Sequence, residues 1–185
     1  MDMGRSNQAG FTLVEALLVC TAALIFIAGA VPILNSVLAR TNADSAAQFI
    51  AQQICYARAL AVGSNADVLV KFDPDANTLV VAPGSGQARG PFNLGGGMTL
   101  LASSPSPDTP DGLGSTVLGI GDNTQMTCVD NGSVVVDSVS NTLCSGTFLI
   151  QHTNGDPATL RAVTLLGGTG RVHIWRYDTA TGTWK

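Results

Sequence analysis

The sequence predicts an α+β protein. A long N-terminal helix, kinked midway, has a membrane-spanning first half and an amphipathic second half packed on a C-terminal antiparallel β-sheet domain. Three observations predict this. Residues Phe11 to Ala39 form an apolar run interrupted by Glu15, a few hydroxyl and amide residues and Pro32. From Ala46 onward the apolar residues recur with a helical period. Beyond Gly63 the period changes to two, in sequence rich in Gly, Ser, Thr, Asn and Val.

The first half of the helix is long enough to cross a bilayer. Gly29 and Pro32 lie within it, and proline removes a backbone hydrogen bond and kinks a helix. In the second half Phe49, Ile50, Ile54, Ala57, Leu60 and Ala61 form one stripe, with Gln48, Gln52, Gln53 and Arg58 on the other side. Gly63 and Ser64-Asn65 supply a stop near residue 62.

The strands follow in order. Val68–Phe72 and Thr78–Val81 flank a turn-forming Asp73-Pro74-Asp75-Ala76-Asn77, which reads as a hairpin. Pro83 to Gly97 is Gly-rich and read as irregular. Met98–Ala102 is a short strand, and Ser103–Gly114, with three prolines, is a surface loop. Thr116–Ile120, Gln125–Val129, Ser133–Val136 and Phe148–Gln151 are further strands, the second and third joined at Asp130-Asn131-Gly132. His152, before Thr153-Asn154-Gly155, is expected in a turn. Thr159–Leu165 and Arg171–Tyr177 form the clearest hairpin, turning at Gly167-Gly168-Thr169-Gly170.

Glu15 is the one charge between the leader and Arg40. Insertion scales put an ionisable side chain inside a membrane helix at a cost of about 3 kcal/mol. A bare anchor gains nothing from it, so the carboxylate calls for a partner within an apolar assembly. The ten residues before Phe11 are polar, contain Arg5 and end in Gly10. A secretory signal is cut after its apolar region, whereas here a cut fits before it, between Gly10 and Phe11. The new amine would lie about one helical turn from Glu15. An amine and a carboxylate of different subunits would then neutralise each other where unpaired charge is expensive.

Gly10-Phe11-Thr12-Leu13-Val14-Glu15 resembles the prepilin peptidase site of type IV pilins and type II secretion pseudopilins. The resemblance implies cleavage after Gly10, N-methylation of Phe11 and an assembly role for Glu15. Gly29 and Pro32 match the positions of helix breakers in that family. It also implies a leader at 1–10, a transmembrane and assembly helix at 11–40 and a periplasmic pilin-like domain at 41–185. The implied location is the bacterial inner membrane, single-pass, and the pilus or pseudopilus. The implied partners are prepilin peptidase, other pilin or pseudopilin subunits and the inner-membrane assembly platform. Gly170-Arg171-Val172 in a C-terminal hairpin is similar to GspH/FimT-type minor pseudopilins and minor pilins. Some of these bind DNA through Gly-Arg-x-Arg. This chain has His173 in place of the second arginine, which leaves Arg171 and Arg176 as candidate DNA contacts beside Trp175 and Tyr177. By period two, Arg171 and His173 share one face of the strand and Arg176 lies on the other.

The net charge is −4, and beyond Ala61 ten aspartates face six basic residues, so no extended basic surface holds nucleic acid by charge alone. A domain outside the cytoplasm would join Cys128 to Cys144, worth about 3 kcal/mol in the chain-entropy account. Cys20 in the apolar run and Cys55 on the helix stay free. No zinc spacing, nucleophile elbow or phosphate loop is present, so neither a metal, a cofactor nor catalysis is expected. Asp178 and its neighbouring threonines are too sparse for a calcium cage. The reading is a minor pseudopilin or minor pilin; the rivals are a DNA-capturing minor pilin and a membrane-anchored domain that never polymerises.

Overall fold

A computed structural model describes residues 12–73, 76–83, 86–101, 107–114, 126–129, 135–137 and 145–185, with the backbone alone for 126–129 and 135–137. Helix α1 covers Leu13–Ser64. The chain divides into two compact units between Leu38 and Ala39.

In the first unit α1 is apolar on every side. Leu13, Val14, Ile25, Phe26 and Ile33 are all exposed, and none of the most apolar 18-residue window is buried. A helix hydrophobic all round needs lipid or partner helices to cover it. Thr12 starts α1: its carbonyl accepts from the Ala16 N–H at 3.1 Å and its hydroxyl accepts from the Glu15 N–H at 3.3 Å. Pro32 lies inside the helix, and a side chain at Gly29 would meet nothing within 4 Å.

In the second unit the stripe is buried as the periodicity requires. Ala43, Ala46, Ala47, Ile50, Ile54, Ala57 and Ala61 are buried, with Phe49 and Leu60 partly so. The small residues let the sheets approach the helix axis. Termination falls to Asn65 rather than Gly63: Asn65 takes φ +50, and the Ala66 N–H reaches back to the Ala61 carbonyl at 3.3 Å. This is the left-handed helix end that asparagine tolerates.

Two antiparallel sheets follow. One has the order β3 (Arg89–Asn93), β2 (Thr78–Pro83), β1 (Val68–Asp73), β5 (Met126–Val129), β6 (Val135–Asp137). The other has the order β10 (Thr183–Trp184), β9 (Arg171–Asp178), β8 (Arg161–Leu166), β7 (Gly146–His152), β4 (Met98–Leu101). The expected β1–β2 hairpin pairs Val68 with Pro83 through Asp73 with Thr78. The β8–β9 hairpin pairs Arg161 with Arg176 through Leu166 with Arg171. Phe72 of the first sheet and Phe148 of the second sit 4.4 Å apart between ring centroids. One core therefore joins α1 to both sheets.

Several expectations need correction. Pro83 to Gly97 is not wholly irregular, because it contains β3. That strand ends its sheet, where Pro91 costs no ladder bond, and Phe92 packs edge-on against Phe49 of α1 at 5.7 Å. His152 closes β7 instead of sitting in the turn, although its Nδ1 accepts from the Asn154 N–H in that turn. Thr159 belongs to a short 3-10 turn, Pro157–Thr159, capped by Asp156. The two-residue β10 carries too little pattern to be seen in sequence. Thr116–Ile120 and the Asp130-Asn131-Gly132 turn lie outside the described residues, but β5 and β6 do pair antiparallel.

Candidate functional site

The first candidate is the start of α1. Thr12-x-x-Glu15 is the pattern of a capping box, and Thr12 supplies its hydroxyl half. Glu15 lies in the first turn, where the helix dipole favours a negative charge by about 0.3–1 kcal/mol. That is smaller than the cost of placing the group in a membrane. The Glu15 side chain is exposed and has no ion pair among the described residues. The end of α1 therefore presents a carboxylate on an apolar rod, available to a group from elsewhere.

The second feature ties α1 to the second sheet. Asp44 Oδ1 accepts from Arg161 Nε at 2.6 Å and meets Arg176 Nε at 3.1 Å. Arg161 and Arg176 are direct cross-strand partners, and like charges in that relation repel. Asp44 lies between them and offsets the repulsion. The side chain of Arg161 is only 5% exposed, and it also donates to the carbonyls of Ala158 and Leu160 at 2.9 and 2.8 Å.

The third feature is the sheet face turned away from α1. Here Leu149, Ala162 and Trp184 are buried, with Trp175 and Tyr177 packed against them. The segment 107–114 crosses this face on four anchors. Trp184 Nε1 donates to the Pro107 carbonyl at 2.8 Å, and Thr147 Oγ1 donates to the Leu113 carbonyl at 3.0 Å. Between them Asp111 Oδ2 accepts from Thr164 Oγ1 at 2.5 Å and from Trp175 Nε1 at 3.2 Å. Burial by itself would raise the Asp111 pKa. The hydrogen bonds from Thr164, Thr109, Trp175 and the Leu113 amide outweigh it and hold the carboxyl below its ordinary value.

Beside this crossing lies a cavity of about 190 Å³ lined by Asp111, Leu113, Thr164, Arg171, His173 and Trp175, among others. The His173 and Trp175 rings stack at 4.7 Å, and His173 Nδ1 is buried with no hydrogen-bond partner among the described residues. Arg171 is exposed at the rim.

Arg171 and Arg176 are not brought together. Val172 and Ile174 pack into the helix-side core while Arg171, His173 and Trp175 line the outer cavity. Arg176, on the helix side, is held by Asp44. Gly10 and Phe11 lie outside the described residues, as does Cys144. Cys128 is placed only by its backbone, in β5. Cys20 and Cys55 are free and exposed.

The sequence reading passed over Asp44, Arg161 and Asp111. A signal existed for the first two. Arg161 shares the core-facing parity of β8 with Val163 and Leu165, and a cation there requires a buried partner. Asp44 is the one carboxylate of α1 beyond Glu15. Nothing local marked Asp111, whose partners come from β8 and β9. Among the described residues no cluster of potential metal ligands occurs.

An apolar helix leading into a two-sheet α+β domain defines the class of a helix-led protein that a membrane or a bundle of like helices must complete. Within it, residues 5–31 match the family model of the prokaryotic N-terminal methylation motif. The match supports the type IV pilin and pseudopilin family, and the motif implies processing by prepilin peptidase and assembly with other pilins. No curated protein and no solved structure matches the chain.

Proposed function

We propose that this protein is a minor subunit of a type II secretion pseudopilus or type IV pilus, of the GspH/FimT type, cut after Gly10 and methylated on Phe11. The observation that carries the reading is Glu15. It is an exposed carboxylate without an ion pair among the described residues, inside the methylation motif, on the half of α1 that is apolar on every side. A neighbouring subunit's N-terminal amine satisfies it in an apolar bundle, where either charge alone is costly.

On this reading α1 waits in the inner membrane and then joins the bundle. Gly29 and Pro32 ease bending along the way, because proline deletes one helix bond. The second unit lies on the periplasmic side and decorates the filament. The role is assembly through the platform and partner subunits, and no bond-making chemistry is assigned to the domain. DNA capture by a shared Arg171–Arg176 surface is disfavoured by their opposite faces on β9.

The test is Glu15→Ala. Membrane insertion should be unchanged or easier, since a charge is removed. Incorporation into sheared filaments should fall steeply, because the neighbour's amine is left buried and unpaired, at a cost of about 3 kcal/mol. Normal incorporation would reject the docking role.

A further inference from the structure

The protein is acidic overall, yet its cations are not spread evenly. Arg40, Arg176 and Lys185 line one shallow pocket of about 370 Å³ with Tyr177, Asp178 and Thr179. Arg40 is exposed and forms no ion pair among the described residues. The side chains of Arg176 and Lys185 are 62% and 65% exposed. Lys185 is held in place by its backbone, which exchanges hydrogen bonds with Arg176 at 2.8 and 2.9 Å.

Two side-chain carboxylates belong to this neighbourhood, and both are engaged. Asp44 serves Arg161 and Arg176, and Asp178 pairs with Lys185. Four cations thus meet these two and the α-carboxylate of Lys185, which leaves one positive charge in excess, and the exposed Arg40 is the cation without an ion pair among the described residues. Such a patch suits an anion with several acceptor oxygens, which guanidinium and ammonium groups bind well.

The place of the patch selects among anions. Arg40 is the first charge after the apolar run and lies two residues past Leu38 on the same helix, about 3 Å of axial rise. If the apolar run fills a bilayer, Arg40 reaches headgroup level, and Arg176 and Lys185 lie beside it. Tyr177 lines the same pocket, and tyrosine is among the side chains favoured at membrane–water boundaries. We propose that Arg40, Arg176 and Lys185 form a binding site for the phosphate headgroup of an anionic phospholipid, which holds the domain against the membrane before assembly. The proposal rests on the membrane-anchored reading of α1 and is independent of Glu15 and of the filament.

Native mass spectrometry of the full chain in a non-ionic detergent, with phosphatidylglycerol and phosphatidylcholine in equal amounts, tests it. Phosphatidylglycerol should be retained preferentially. Arg40→Gln and Lys185→Gln should each weaken that retention about fivefold, the effect of one basic residue near an anionic surface. Arg171→Gln removes an exposed charge elsewhere and should leave it unchanged. Arg40 holds no ion pair among the described residues, and an unshifted thermal midpoint of Arg40→Gln shows that the fold is intact. Equal retention of both lipids, or full retention by Arg40→Gln, overturns the site. Displacement by millimolar inorganic phosphate assigns it to free phosphate and overturns the lipid assignment. A full chain that stays monomeric without detergent overturns the anchored reading and this site with it, a result separate from any lipid preference.

Discussion

Asp44 on α1 and Arg161 on β8 lie 117 residues apart in sequence and meet at 2.6 Å. The contact fastens the amphipathic half of the helix to the second sheet. It also lets two arginines stand opposite each other on β8 and β9.

Removing that carboxylate should be costly. Asp44→Ala leaves Arg161 buried without its counter-ion, and the expected loss is about 2–3 kcal/mol, less than for a fully enclosed pair because Asp44 retains some solvent access. Arg176→Gln should cost about 0.5 kcal/mol, since that side chain is mostly exposed. Urea unfolding of the two variants measures the difference. Equal losses would mean that burial of Arg161 is not what makes the pair matter.

Asp111 makes the outer face sensitive to acid. Its folded-state pKa lies below the ordinary value of 3.8. Its contribution is therefore fully present well above that value and is lost as the pH falls through the lower folded-state pKa. Amide exchange in residues 107–114 should accelerate as the pH drops below about 3.8, after correction for the intrinsic rate. Asp111→Asn should show the faster exchange already at pH 7. Asp178 is separable: the hydrogen bond from Lys185, then those from Ala180 and Thr181, hold it at about 2. The tether between β9 and Lys185 should therefore persist until the pH approaches that value, and amide exchange at Thr183 and Trp184 reads it out.

Processing is expected to leave a chain that begins with N-methylated Phe11. Intact-mass measurement on the membrane-extracted protein reads this directly. Gly10→Val should leave the precursor uncut, because a branched side chain blocks close approach to the backbone at the scissile bond. A mature N-terminus at Met1 or after Ala30 would count against the prepilin reading.

Thiol labelling addresses the compartment. Cys20 and Cys55 are free and exposed, so both should label in detergent without reductant. Cys128 and Cys144 are expected to label only after reduction if the domain matures in an oxidising compartment. Four labelled cysteines without reductant would contradict the periplasmic placement.

The sequence by itself determined the elements whose signal is local and periodic. The apolar run, the stripe from Ala46 to Ala61 and the β1–β2 and β8–β9 hairpins are each written within a few tens of residues. The methylation motif is legible for the same reason, since a peptidase reads a short linear segment. The split of β9 into two faces was also readable, because a strand alternates its side chains with period two. Only the tertiary structure decided what those faces meet. Arg176 meets Asp44 of α1, and the outer face carries the strap of residues 107–114 over Trp175 and His173. Strand β3 and the two residues of β10 form because edges of existing sheets receive them, not because their own composition demands it. Contacts such as Asp44–Arg161 and Asp111–Thr164 join segments 117 and 53 residues apart. Their energy depends on burial and on geometry supplied by other elements, and no local pattern in the chain encodes either.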